Sequence, residues 1–181
     1  MQTTQTHFSG AYDIDPVHSS VQFAVGHIVS TFRASFDDIE GRMLVENGTT
    51  TLTATAVAES ISITDPPEFR KHVVHGDDFF DASVHPRLTF RSTRIDLRED
   101  GNATVFGELT IRGVTRPLVA EGNYRTPTQD PFGAERAALH LRANVDRRDW
   151  NLSFQLPLPD GGDAVGWTVE LSADLELVRA A

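Results

Sequence analysis

The sequence predicts a single all-β domain over residues 1-181, an antiparallel sheet that closes into a barrel or folds as a sandwich, with one short helix near residues 66-77. Three observations predict it. Apolar residues recur at period two, turn-forming residues separate the periodic runs, and a helical pattern is confined to one stretch.

The first run is Val21, Phe23, Val25. The next, Leu52, Ala54, Ala56, Ala58, puts mostly small side chains on one face. That face either points inward, leaving a barrel underfilled, or points outward or against the helix. Asp65-Pro66-Pro67-Glu68 then offers an N-capping Asp, prolines suited to a first turn and an early acid, after which Phe69, Val73 and Val74 share a helical face that Gly76 ends. Further strands follow at Leu88, Phe90, Ser92; at Val105, Gly107, Leu109, Ile111; and at Leu139, Leu141, Ala143, Val145. The longest alternation is Val165, Trp167, Val169, Leu171, Ala173, Leu175, Leu177, a strand with one dry face. Turns are expected at Glu46-Asn47-Gly48, Glu99-Asp100-Gly101-Asn102, Arg112-Gly113 and Asp160-Gly161-Gly162-Asp163. Residues 1-10 carry no such pattern and are expected to be flexible.

Composition narrows the partners. Lys+Arg 16 against Asp+Glu 26 gives a net charge of −10, which disfavours nucleic acid and anionic lipid surfaces. With Cys 0, a disulfide framework, a thiol nucleophile and a thiolate metal site are excluded. No apolar run approaches the roughly 20 residues of a helical membrane span. The amino terminus lacks a secretory pattern, so the chain is expected in the cytoplasm, or in the periplasm or outside the cell if it is a processed form.

Four stretches in order resemble the YceI-like family, the lipocalin-like polyisoprenoid-binding proteins. They are Tyr12-Asp13-Ile14-Asp15-Pro16-Val17-His18-Ser19-Ser20-Val21-Gln22-Phe23-Ala24-Val25-Gly26-His27; Asp78-Phe79-Phe80-Asp81 with His85-Pro86 and Thr89-Phe90-Arg91-Ser92-Thr93; Gly107 to Pro117; and Asp146-Arg147-Arg148-Asp149-Trp150. The resemblance implies a lipocalin-like antiparallel β-barrel of about eight strands that holds a polyisoprenoid, such as an isoprenoid quinone, or a similar long-chain lipid in an apolar pore. It implies no other cofactor, and it makes a homodimer plausible. The chain departs from the family pattern at Arg70-Lys71-His72-Val73-Val74, where the family's Asp and His are displaced, and at Trp150-Asn151, where Phe and Gly are common.

The expected ligand-binding residues are Phe23, Val25, Phe79, Phe80, Phe90, Leu109, Leu141, Trp150 and Trp167 as lining, with His18, His27 and Arg147 at the mouth. An isoprenoid tail has no polar group to satisfy, so Phe and Leu faces are what its burial requires. Each polar candidate has a structural alternative. His18 can pair with Asp15, and Arg147 can form a surface ion pair with Asp149. His72, His75, Asp77 and Asp78 are metal-capable but lack a recognised ligand spacing, so no metal is expected. Two other functions stay open: a small barrel enzyme with a histidine general base oriented by a carboxylate such as Asp149, and an interaction module whose pore is filled by its own side chains.

Overall fold

A computed structural model describes residues 8–181. The strands are β1 (Gly10–Ile14), β2 (Ser20–His27), β3 (Ser30–Phe36), β4 (Ile39–Glu46), β5 (Thr49–Val57), β6 (Arg87–Leu97), β7 (Asn102–Ile111), β8 (Val114–Gln129), β9 (Glu135–Asp146) and β10 (Val165–Arg179), and the helix is α1 (Pro67–His75). The sheet runs β1-β4-β5-β6-β7-β8-β9-β10-β2-β3, and β1 also pairs with β10, which closes it.

Register turns these strands into a closed eight-strand antiparallel barrel. β10 pairs with β1 through Leu177–Arg179 and with β2 through Val165–Asp174, so β1 and β2 lie end to end along one neighbour. β1 pairs with β4 and β2 with β3, so β3 and β4 are likewise two parts of one stave, broken at Asp37 and Asp38. Two-residue turns join neighbouring strands where expected. Asn47-Gly48 and Arg112-Gly113 both take positive φ (51 and 77, 53 and 71), the mirror-image turn whose twist matches paired strands.

The hydrogen-bonded wall is incomplete at both ends of the barrel: β5 and β6 pair only through Thr53–Val57 and Arg87–Arg91, so their ends at Thr49 and Leu97 are not laddered together, and a larger gap lies at the opposite end. Among the described residues β3 has a ladder only on its β2 side, apart from a single bridge between Phe36 and Ile61. α1 and its flanking turns cover that gap, with Phe69 edge-on to Phe32 at 5.9 Å between ring centres. β8 pairs with β9 only from Glu121 onward, and its Val114–Ala120 portion pairs with β7 alone. A 3-10 turn, Arg147–Trp150, sits beside that portion, where Arg116 Nε donates to Asp149 O at 3.1 Å. Pro117 falls in this half-paired stretch, where its missing N–H costs no ladder bond toward β9.

The helix spans Pro67–His75 within the expected 66-77, and Gly76 caps its end. Asp65 does not cap it: Pro66 occupies the cap position, and the helix has no side-chain cap. Of the ten leading residues expected to be flexible, 1–7 lie outside the described residues, whereas Phe8 is buried against Tyr12 and Tyr124 and Gly10 opens β1.

Candidate functional site

The two ends of the barrel interior are filled differently. At the end where β1 begins and β10 finishes, Tyr12, Met43, Val105, Leu139 and Leu177 are each at most 1% exposed and interlock as a solid plug. Toward the end bearing α1 and the 147–164 segment, the interior opens into a cavity of about 550 Å³ lined almost wholly by apolar atoms. Its volume falls within the roughly 300–1,000 Å³ of small-molecule pockets.

The cavity walls follow from alternation. Leu52, Ala54 and Ala56 line it, so the small-residue face of β5 points inward, and Ala120, Ala143 and Ala173 add space from β8, β9 and β10. Large rings share the lining with them. Phe23, Phe36 and Phe80 are mutual neighbours, with Phe36 and Phe80 edge-to-face at 5.7 Å. At the mouth Phe79 stacks on Phe154 at 4.7 Å, and His72 lies edge-on to both. Ile28, Phe69 and Leu156 both line the cavity and reach solvent.

The expected residues Phe23, Val25, His27, Phe79, Phe80, Phe90, Leu109, Leu141, Arg147 and Trp150 all line this one space. Trp150 is 2% exposed and donates its Nε1 hydrogen to Leu109 O at 3.0 Å, so the larger ring is accommodated with its polar atom paired. Two expected residues lie outside the cavity. His18 is exposed and pairs with Asp15 Oδ2 at 2.9 Å, the structural alternative. Trp167 misses because it sits in an irregular stretch: Val165 pairs with His27 and Val169 with Val25, so β10 carries two extra residues between them, and the indole leaves the cavity there although Val165 and Val169 on either side of it line it. Its ring instead covers the Arg147 guanidinium at 4.1 Å and bonds Asp163 through Nε1.

Arg147 does not form the expected surface pair with Asp149. It is 6% exposed and donates to the carbonyl oxygens of Gly166 (2.8 Å), Leu152 (2.6 Å) and Val165 (3.4 Å). Burial lowers its pKa, and the nearby Asp146 carboxylate opposes that shift. The guanidinium thus ties the strand of chain after the 3-10 turn to the start of β10, and the mouth loop is anchored on its own backbone carbonyls.

The histidines paired with acids do not line the cavity: His72 pairs with Asp78, His75 with Glu59, His140 with Asp174 and His18 with Asp15. His27 does line it, and among the described residues it makes no side-chain bond to an acid. His72 and His75 go to separate partners and do not converge with Asp77 as metal ligands. Among the described residues the grouping with ligand-like spacing is Asp15, His18 and Glu176, outside the cavity, where Arg136 already bridges Asp15 and Glu176.

Residues that sequence reading left out include Phe36, Phe154, Leu156 and Leu175. Leu152, Phe154 and Leu156 do alternate, and that alternation was an available signal within a stretch with almost no ladder of its own.

Comparison with known proteins agrees with this architecture. A UPF0312 protein of Ectopseudomonas mendocina (strain ymp) is 28% identical over 93% of this chain and 86% of its own length. Another, from Vibrio vulnificus (strain YJ016), is 29% identical over 77% of this chain and 75% of its own. Among solved structures, BcnA of Burkholderia cenocepacia superposes with a TM-score of 0.71 at 20% identity, covering 90% of this chain and 98% of that one. A polyisoprenoid binding domain from Saccharophagus degradans superposes with a TM-score of 0.70 at 14% identity, covering 93% and 98%. The model of the YceI-like domain matches residues 12–177, nearly the whole closed barrel with its cavity, and the chain belongs to that family.

Proposed function

We propose that this protein binds a single long-chain amphiphile, a polyisoprenoid or a similar lipid, with its tail in the barrel cavity and its polar end at the mouth between α1 and the 147–164 segment. The observation that carries the reading is the cavity itself: about 550 Å³ of apolar space in a barrel whose other end is solid. Apolar tail groups gain about 0.8 kcal/mol per CH₂ on leaving water. Ten buried methylene groups therefore supply on the order of 8 kcal/mol before immobilisation costs are subtracted. The walls offer such a tail little polar surface.

The Saccharophagus degradans domain with the same fold is a polyisoprenoid binding domain, which supports the ligand class. A carrier is favoured over a histidine-based enzyme because the one cavity-lining histidine, His27, has no orienting carboxylate among the described residues, and Asp149 offers its backbone carbonyl to Arg116. A wholly self-filled barrel is disfavoured by the open half. Native mass spectrometry of the purified protein, followed by organic extraction, tests the proposal. A stoichiometric long-chain lipid is expected. An empty protein that also takes up neither added prenols nor fatty acids would overturn it.

A further inference from the structure

The cavity has a floor, and the floor has a consequence for what can enter. Leu52 and Leu175 line its inner end. Beside them on the neighbouring strands, Met43 pairs in register with Leu52 and Leu139 with Leu175, and neither Met43 nor Leu139 touches the cavity, so the lining stops at this level. Tyr12 and Leu177 close the rest, each 0% exposed, and Phe8 and Tyr124 cap the plug from outside. The interior is a blind tube, entered from one side.

We propose that this floor gauges chain length, so that the protein selects amphiphiles with a single tail of about 12–17 main-chain carbons, and that Leu52 and Leu175 are the residues that set the limit. The inference rests on the reading that a tail fills the cavity. The depth comes from the strands. His27 and Val165 mark the mouth level; the inward-facing run on β2 descends from His27 through Val25 and Phe23 to Val21, and Leu175 lies one inward step lower on β10. Six to eight residues at roughly 3.3 Å each, tilted by roughly 40° to the barrel axis, give a depth of roughly 15–20 Å. An extended chain advances roughly 1.2 Å per bond, since three backbone bonds span roughly 3.3–3.6 Å. The tube therefore holds a tail of saturated C12–C16 length, or about three to four isoprene units. Longer tails leave their remaining carbons outside the mouth, in water.

The test uses the full-length protein after lipid extraction and saturated fatty acids from about 8 to about 22 carbons, with binding read from the emission of Trp150, which lines the cavity. The dissociation constant should fall about fourfold per added carbon up to about 12–17 carbons and change less than about twofold per carbon beyond that. Leu52→Ala deepens the tube and should move the break to longer chains. Ala143→Leu fills it from the β9 wall and should move the break to shorter ones. Continued tightening to the longest acid, or a break that neither variant moves, overturns the length gauge while leaving the carrier reading in place. The wild-type series and Ala143→Leu decide the matter even if Leu52→Ala does not fold. Failure of every acid, and of prenols of matching length, would instead remove the carrier reading and the gauge with it.

Discussion

Replacing Arg147 by Met tests whether the mouth loop is held by one buried guanidinium. The substitution keeps most of the apolar stem and removes the donors to Gly166, Leu152 and Val165, together with the face stacked on Trp167. The carbonyls left without a donor cost about 1–3 kcal/mol each where water cannot reach them, and the lost cation–π contact about 0.5–2 kcal/mol. Against this, removing a buried cation that has no direct carboxylate partner relieves a desolvation penalty. The net expectation is a loss of about 2–4 kcal/mol, or a melting temperature lower by about 5–15 °C in a chain of this size. Arg147→Lys keeps the charge but cannot fork to three carbonyls, so it should fall between the two. Urea denaturation followed by far-UV circular dichroism reads the effect. Methionine within about 0.5 kcal/mol of wild type would refute the assignment of the loop's anchorage to this side chain.

Acid should weaken the fold through the carboxylates that arginines hold. Arg136 and then His18 bring the Asp15 carboxyl down to about 2, and Arg148 does the same for Asp146. Because the unfolded chain takes up these protons first, the stabilisation is complete above about pH 4–5 and is lost as pH falls toward 2; for Asp15, reached by some solvent, it is on the order of 1 kcal/mol. Denaturation midpoints across that range should fall with pH in wild type and more shallowly in Asp15→Asn; equal slopes would sink the idea. Gly122→Ala should be destabilising by more than about 2 kcal/mol, because the new methyl would lie 1.8 Å from His140 O in the β8–β9 ladder. Thermal melting checks it, and an unchanged midpoint would mean that the two strands separate there at no cost.

Much of the barrel was legible as period-two pattern, and what was missed has physical reasons. β6, β7, β9 and β10 announce themselves because an inward apolar face alternates with a wet one. β8, the longest strand, does not: its side chains are mostly exposed, and Pro117 and Pro127 interrupt it. The staves made of β1 with β2 and β3 with β4 are broken, and of their pieces only β2 is legible in the sequence, from Val21, Phe23 and Val25. Most of the lining was found because a residue's parity is shared along its strand. Trp167 was misassigned because it falls inside an irregular stretch of β10, where a side chain can leave the face that Val165 and Val169 keep on either side, and no local signal marks that irregularity. His18 was placed at the mouth on its position flanking the first strand, yet β1 and β2 meet there in mid-stave, where Asp15 and Glu176 gather around Arg136. Nor does periodicity separate a packed layer from a hollow one. Leu139 and Leu141 belong to the same alternation, and only the side chains facing them across the barrel make one part of the plug and the other part of the wall.

That division also assigns stability and access to different parts of the molecule. In the plugged half β1 is laddered between β4 and β10 and β9 between β8 and β10; β5 and β6 do not pair there, beyond Thr53 and Arg91, yet the core residues are almost fully excluded from water. In the hollow half two stretches of wall are not sheet: α1 stands beside β3, and the Arg147–Trp150 turn stands beside the first part of β8. These covers are joined to each other, since Ser153 and Phe154 donate their amides to Asp78 O at 3.0 and 3.1 Å. Local opening follows the segments with the fewest buried contacts and ladder bonds, so the covers can part while the plugged half holds the barrel closed. Entry of a tail then requires breaking a few loop hydrogen bonds and the Phe79–Phe154 stack, and no strand pair has to separate.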